Sequence, residues 1–300
     1  MQNKQTVYQQ FDLPALEREY SPSSCIDDIM VFIQQYIDLS QQALNFAQNS
    51  DSVITNLPYG ESVDEVLDLF LPVDTSNYKS KLHVYIHGGY WQELTKNESS
   101  FAATNFQENG YHFAVLNYSL APKVSLSEIV DQCRQAIAFL YQQAEEYGYD
   151  KNEIYLSGSS AGGHLAMMMA LTDWSKYLAI ESNIIKGICA VSGIYDLTPI
   201  ALTYINEPLK LSSLEIKENS PLLLNFSCKI LANCQIILAY GDNETSEFKR
   251  QTLAIKSYFE QQGLMARFAE IEYRNHFNVI LDLAEPQSWL SQEVFKQMQT

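Results

Sequence analysis

Short apolar runs bounded by polar turns alternate along this chain with longer segments whose apolar residues recur every three to four positions. Runs of the first kind predict buried strands at 82–86, 113–117, 187–191, 235–240 and 266–271, and residues 63–71 alternate as a further strand. The second kind predicts helices at 98–108, 127–147, 246–262 and 286–297, and a leading helix at 24–49 with Ile29, Ile33, Tyr36 and Ile37 at helical spacing. Residues 196–226 are mixed, with prolines at 199, 208 and 221, and read as a small helical insertion. Strands that alternate with helices predict an α/β fold with a doubly wound, mostly parallel sheet. No linker, repeat or low-complexity stretch divides the chain, so residues 1–300 are expected to form one domain, with 1–50 as a leading helical segment and 196–226 as a cap-like insertion.

One strand changes the picture from fold to chemistry. Ile154-Tyr155-Leu156 runs into Gly158-Ser159-Ser160-Ala161-Gly162 and then into a helix-forming run, the strand–turn–helix context of a nucleophile elbow. A serine on so sharp a turn needs very small residues two before and two after it, and Gly158 and Gly162 supply them around Ser160. A glycine-rich turn with a chance serine is the bland alternative, and a second motif weighs against it. The run at 82–86 leads directly into His87-Gly88-Gly89-Tyr90-Trp91, a loop of the kind that forms an oxyanion hole. Backbone amides must face a developing alkoxide there without a Cβ in the way, so Gly88, Gly89 and the amide of Ala161 are the expected donors. His87 is read as a loop-bracing residue.

A serine hydroxyl needs a histidine base and an acid to orient it, in the chain order Ser, acid, His. His164 lies one helical turn beyond Ser160 and reads as structural, while His83 and His112 fall within apolar strands. His276 remains as the base. The acid is expected after the strand at 235–240, where Asp242, Glu244 and Glu247 compete. Glu247 suits the first turn of the next helix, and Asp242 suits a turn cap. Glu244, three residues beyond Gly241, is preferred, with Asp242 as the alternative. Tyr90, Trp91, Tyr195 and Phe277 fall in loops on the same sheet edge and are expected as an aromatic wall for an aryl substrate.

These residues resemble the arylformamidases, or kynurenine formamidases, of the α/β-hydrolase superfamily. The resemblance rests on Glu19-Tyr20-Ser21-Pro22-Ser23, the His87–Trp91 loop, the elbow through Leu165, and Ser192-Gly193-Ile194-Tyr195-Asp196-Leu197. It continues in 204–209 with Ser220-Pro221, in Glu247-Phe248-Lys249-Arg250-Gln251 and in His276-Phe277. It implies an α/β-hydrolase fold and a cofactor-free serine hydrolase that releases formate from N-formyl-kynurenine, with Ser160, Glu244 and His276 at the triad positions. Glu244 stands where animal members carry Asp, and Ser159 where relatives often carry His. A carboxylesterase for small aryl or acyl esters is the nearest alternative. A non-catalytic binding protein on a hydrolase scaffold is more remote, because every triad member is present in order.

Composition narrows the setting. With 46% apolar and 18% charged residues the chain has globular composition. A formal charge of −17 argues against nucleic acid and anionic membrane surfaces as partners and leaves a small-molecule substrate, with a homodimer left open. The polar start of the chain and the lack of a long apolar run predict no signal peptide and no membrane span, hence a cytoplasmic protein. The five cysteines, at 25, 133, 189, 228 and 234, form no C-x-x-C pair and no metal spacing; free thiols and no metal are expected.

Overall fold

The computed structural model describes residues 5–73, 81–178, 184–226, 228–231 and 233–299, excluding the side chains of 228 and 229. The Cys228 thiol and the first four residues of the polar N-terminal stretch therefore lie outside the described residues. Eight strands pair in one sheet: β1 (Val53–Pro58), β2 (Val66–Phe70), β3 (Leu82–Ile86), β4 (His112–Leu116), β5 (Ile154–Ser159), β6 (Ile185–Val191), β7 (Gln235–Asn243) and β8 (Ala266–Asn275). Their order is β8-β7-β6-β5-β3-β4-β2-β1. All neighbours run parallel except β2, which is antiparallel to both β4 and β1.

The central strands β3, β4 and β5 are buried at every residue, as expected for parallel strands covered on both faces. One face packs Val84, Ile86 and Leu156 against the helices Leu126–Gln142 and Ala161–Ala170. The other packs Tyr85, Phe113 and Tyr155 against Met30–Asn49, Ala103–Glu108 and Trp289–Gln299. Register places Ile86 beside Gly158 and Gly158 beside Ala190, so the loops after β3, β5 and β6 leave the same sheet edge side by side.

Several expected boundaries move, each for a local reason. The leading helix begins at Met30, not 24, because Pro22–Cys25 forms a 3-10 turn and Asp28 Oδ1 accepts from Met30 N at 2.8 Å. The expected 98–108 helix divides into a 3-10 turn at Lys96–Glu98, closed by a Thr95/Glu98 capping box, and a helix at Ala103–Glu108. The 127–147 helix starts at Leu126 behind a Ser125/Glu128 capping box and breaks after Gln142, before a short turn at Ala144–Tyr147. The 286–297 helix runs from Trp289 to Gln299. Residues 63–71 contract to β2, since Glu65 N bonds Ser62 O and makes a turn of the first residues. Residues 196–226 carry short helices at Asn206–Leu209 and Ser213–Asn219.

Candidate active site

The elbow is held in a conformation that only its sequence permits. Ser160 has φ 57° and ψ −121°, a sparsely populated region for a non-glycine residue, and its amide bonds Val191 O at 2.9 Å. A Cβ on Gly158 would meet Gly162 O at 2.2 Å, and one on Gly162 would meet Ile86 O at 2.0 Å. Both glycines are therefore required by close approach of strand, turn and helix. Gly88 lies against this turn, where an added Cβ would come within 2.9 Å of Ser159 O. Among the described residues, the amides of Gly88, Gly89 and Ala161 donate to no backbone acceptor. Gly88 and Gly89 line the same cavity as Ser160, and Ala161 directly follows it, so three amides with no backbone acceptor lie around the serine.

His276 follows β8 in a turn that Asn275 and Asn278 close on each other's amides. Its Nδ1 donates to Glu244 Oε2 at 2.8 Å, with both side chains buried. The other carboxylate oxygen, Oε1, accepts from Gly241 N at 2.7 Å and from Ser192 Oγ at 2.6 Å. With Nδ1 committed, Nε2 is the ring nitrogen left for a proton acceptor's task. Asp242, the competing acid, is exposed and caps Arg274 N at 3.1 Å, away from His276. Glu247 is buried and engaged by Tyr20 Oη at 2.8 Å and by both Nε and Nη2 of Arg250 at 2.7 and 2.8 Å. Gln251 Nε2 also donates to Tyr20 Oη at 2.9 Å. The Glu19-Tyr20-Ser21 and Glu247–Gln251 segments, far apart in sequence, are thus one hydrogen-bonded cluster that fixes the N-terminal segment beside the site.

A cavity of about 240 Å³ opens over this edge, lined by Ser160, His276, Gly88 and Gly89. Tyr90 and Phe277 also line it, Ser21–Ser23 and Tyr204–Ile205 form part of its wall, and Ile29, Ile33 and Tyr36 come from the leading helix. Tyr36 donates to Phe277 O and so braces the residue after His276. Trp91 and Tyr195 do not belong to the aromatic wall expected for them: both are fully buried and neither lines the cavity. The reason is packing. Trp91 Nε1 donates to His164 Nδ1 at 3.2 Å, its backbone carbonyl accepts from Ala121 N, and the ring thereby ties the Gly88-Gly89 loop to the elbow helix. Tyr195 packs in the core, with its amide held by Gln251 Oε1 at 2.9 Å. Ser192 is not among the expected site residues, although it lies just beyond a strand end and opens one of the segments that carry the family resemblance.

Four histidines are neutral and structural in this geometry. His83 Nε2 pairs with Ser157 Oγ at 2.7 Å, His87 Nδ1 donates to Gly88 O, His112 Nε2 bonds Tyr147 O, and His164 Nε2 donates to Asn219 O at 2.7 Å. Burial lowers their pKa values, to about 3 for His83 and about 4 for the others. Above about pH 7.5 these four histidines are almost wholly unprotonated in folded and unfolded chains alike, so the effect vanishes. As pH falls below that, the unfolded chain binds protons that the folded chain refuses, and stability falls until the folded pKa values are reached. Near pH 5 unfolding should take up roughly three to four protons from this source, a slope of about 4–5 kcal/mol per pH unit. Urea midpoints measured from pH 7.5 to 5 should drop steeply below about 6.5; a flat profile would show that these rings protonate in place.

Among the described residues no group of three or more His, Cys, Asp or Glu could hold a metal ion, and Cys25, Cys133, Cys189 and Cys234 are free. No helix among them is long and apolar enough to cross a membrane.

The family model described as BD-FAE matches residues 67–226, which spans the oxyanion loop and the elbow. The kynurenine formamidase of Salmo salar is 36% identical over 290 residues, covering 94% of this chain and 95% of that protein. The kynurenine formamidase of Danio rerio is 35% identical and covers 94% of each chain. A crystal structure from Silicibacter sp., with a provisional thioesterase description, superposes with a TM-score of 0.78 at 28% identity. It covers 92% of this chain and 97% of that one.

Proposed function

Because the chain belongs to the kynurenine formamidase family of the α/β-hydrolases, we propose that it hydrolyses aryl formamides, N-formyl-kynurenine foremost, through a Ser160–His276–Glu244 triad. The observation that carries the mechanism is the Glu244–His276 pair at 2.8 Å on the cavity that also holds Ser160 and the glycine amides. Ser160 Oγ attacks the formyl carbon while His276 Nε2 takes its proton. The oxyanion is received by the amides of Gly88, Gly89 and Ala161, which need no reorganisation because they are already unpaired. The C–N bond then breaks, His276 returns the proton to the arylamine, and the formyl group remains on Ser160. Water, deprotonated by the same nitrogen, attacks the ester and releases formate. Glu244 fixes the tautomer with the proton on Nδ1 and stabilises the imidazolium that forms in both steps.

The surroundings suit an aryl leaving group. Tyr90 and Phe277 line the cavity that would hold it, and the 196–226 segment contributes Tyr204 and Ile205 to one side as a cap. The proposed steps use no cofactor, since the serine, the histidine and water supply every group that reacts with the small-molecule substrate.

The esterase reading draws on the thioesterase description of the Silicibacter structure. Acyl size separates the two. In the formamidase the acyl group lies against Gly88 and Gly89 and need be no larger than a formyl hydrogen. N-formyl-kynurenine should therefore exceed N-acetyl-kynurenine in kcat/KM by roughly 10- to 200-fold or more. Rapid cleavage of aryl butyrates with no turnover of N-formyl-kynurenine would replace the assignment with an esterase.

A further inference from the structure

The cavity holds two hydroxyl groups for which the mechanism has no use. Tyr85 and Ser159 both line it, and they are only 3% and 5% exposed. Neither hydroxyl makes a hydrogen bond to another described residue, whereas the neighbouring phenol of Tyr36 is satisfied by Phe277 O. Their placement follows from register. Tyr85 pairs with Ser157 across β3 and β5, and Ser159 lies two residues further along β5, so all three project from the same face of the sheet. The cavity wall beside them is apolar, built from Ile33, Phe101 and Phe277. Neither hydroxyl oxygen is among the fully covered side-chain atoms that lack a partner, so both open onto the cavity, and a ligand that displaces water from them must supply the acceptor in its place.

The charge around them limits what that acceptor can be. Among the described residues no lysine or arginine lines the cavity, and Glu93 and Glu98 do. A carboxylate or phosphate would enter with no cation to offset its desolvation and with like charges nearby. A neutral carbonyl oxygen meets neither obstacle. Burial raises the Tyr85 phenol well above its ordinary pKa, so it keeps its proton and can donate.

We propose that Tyr85 and Ser159 are specificity-determining donors for a neutral carbonyl oxygen on the leaving group, so that the preferred substrates are aryl formamides carrying an acyl substituent next to the formamide nitrogen. This rests on the formamidase reading, since it concerns the arylamine released by that reaction. The ketone beside the formamide in N-formyl-kynurenine is such a group, while the carboxylate at the end of its side chain finds no lysine or arginine among the described residues that line the cavity.

The test compares 2-acetylformanilide with 2-ethylformanilide, which keeps the two-carbon substituent and lacks the carbonyl oxygen, across wild type, Tyr85→Phe and Ser159→Ala. Each substitution should lower the ratio of kcat/KM for the acetyl over the ethyl substrate by roughly 5- to 50-fold, whatever happens to the absolute rates, because only the ketone loses a donor. Reading the ratio within one protein cancels any general loss of activity or folding. If both variants keep the wild-type ratio while all three proteins release formate, the two hydroxyls do not read the ketone. If wild type releases formate from neither substrate, the formamidase reading fails and takes this inference with it.

Discussion

Ser160→Ala is expected to lower kcat on N-formyl-kynurenine by roughly 10⁴- to 10⁶-fold, because the covalent route closes while the amides of Gly88, Gly89 and Ala161 still bind an oxyanion. The fold should survive. Alanine occupies less space than serine, and the bonds that shape the elbow, Ser160 N to Val191 O and His164 N to Ser160 O, belong to the backbone. Circular dichroism and the urea midpoint check the fold, and single-turnover formate release checks the rate. A folded variant with near-native turnover would mean that the nucleophile lies elsewhere.

The second large effect separates two acids two residues apart. Glu244→Gln should lower kcat by roughly 10³- to 10⁴-fold, since an amide presents a donor or a neutral acceptor where His276 needs a carboxylate, and the wrong tautomer is favoured. The glutamine also faces Gly241 N and Ser192 Oγ, both of which now donate to Oε1. Asp242→Asn should cost less than about tenfold, because Asp242 is exposed and its carboxylate serves only the turn at Arg274. Steady-state kinetics on the two variants decide it, and the reverse ranking would move the acid's role to Asp242.

The site was legible where the backbone itself is the requirement. Gly158 and Gly162 announce the elbow because nothing larger passes Ile86 O, and the chain order Ser, acid, His leaves His276 by elimination. The parallel strands were legible for a similar reason: burial on both faces writes them as unbroken apolar runs. What stayed hidden depends on tertiary partners. β1 is half exposed at the sheet edge and carries Asn56 at positive φ and Pro58, so its polar positions conceal it. Trp91 sits in an active-site loop by sequence, yet its indole turns inward to His164. Nothing local distinguishes a tryptophan that faces a ligand from one that holds a loop to a helix. Glu247 likewise reads in sequence as an acid suited to the first turn of a helix, and only the return of Tyr20 from the other end of the chain makes it a buried anchor.

The most direct measurement joins the reaction to the residue. Purified protein is titrated with a fluorophosphonate that forms a covalent adduct, the labelled residue is mapped by mass spectrometry, and formate and kynurenine released from N-formyl-kynurenine are quantified at each degree of labelling. The account predicts that unlabelled enzyme releases the two products in equal amounts, that the adduct is on Ser160, and that activity falls in proportion to its occupancy. Absence of formate release by the unlabelled protein, or full activity after complete labelling of Ser160, would contradict it.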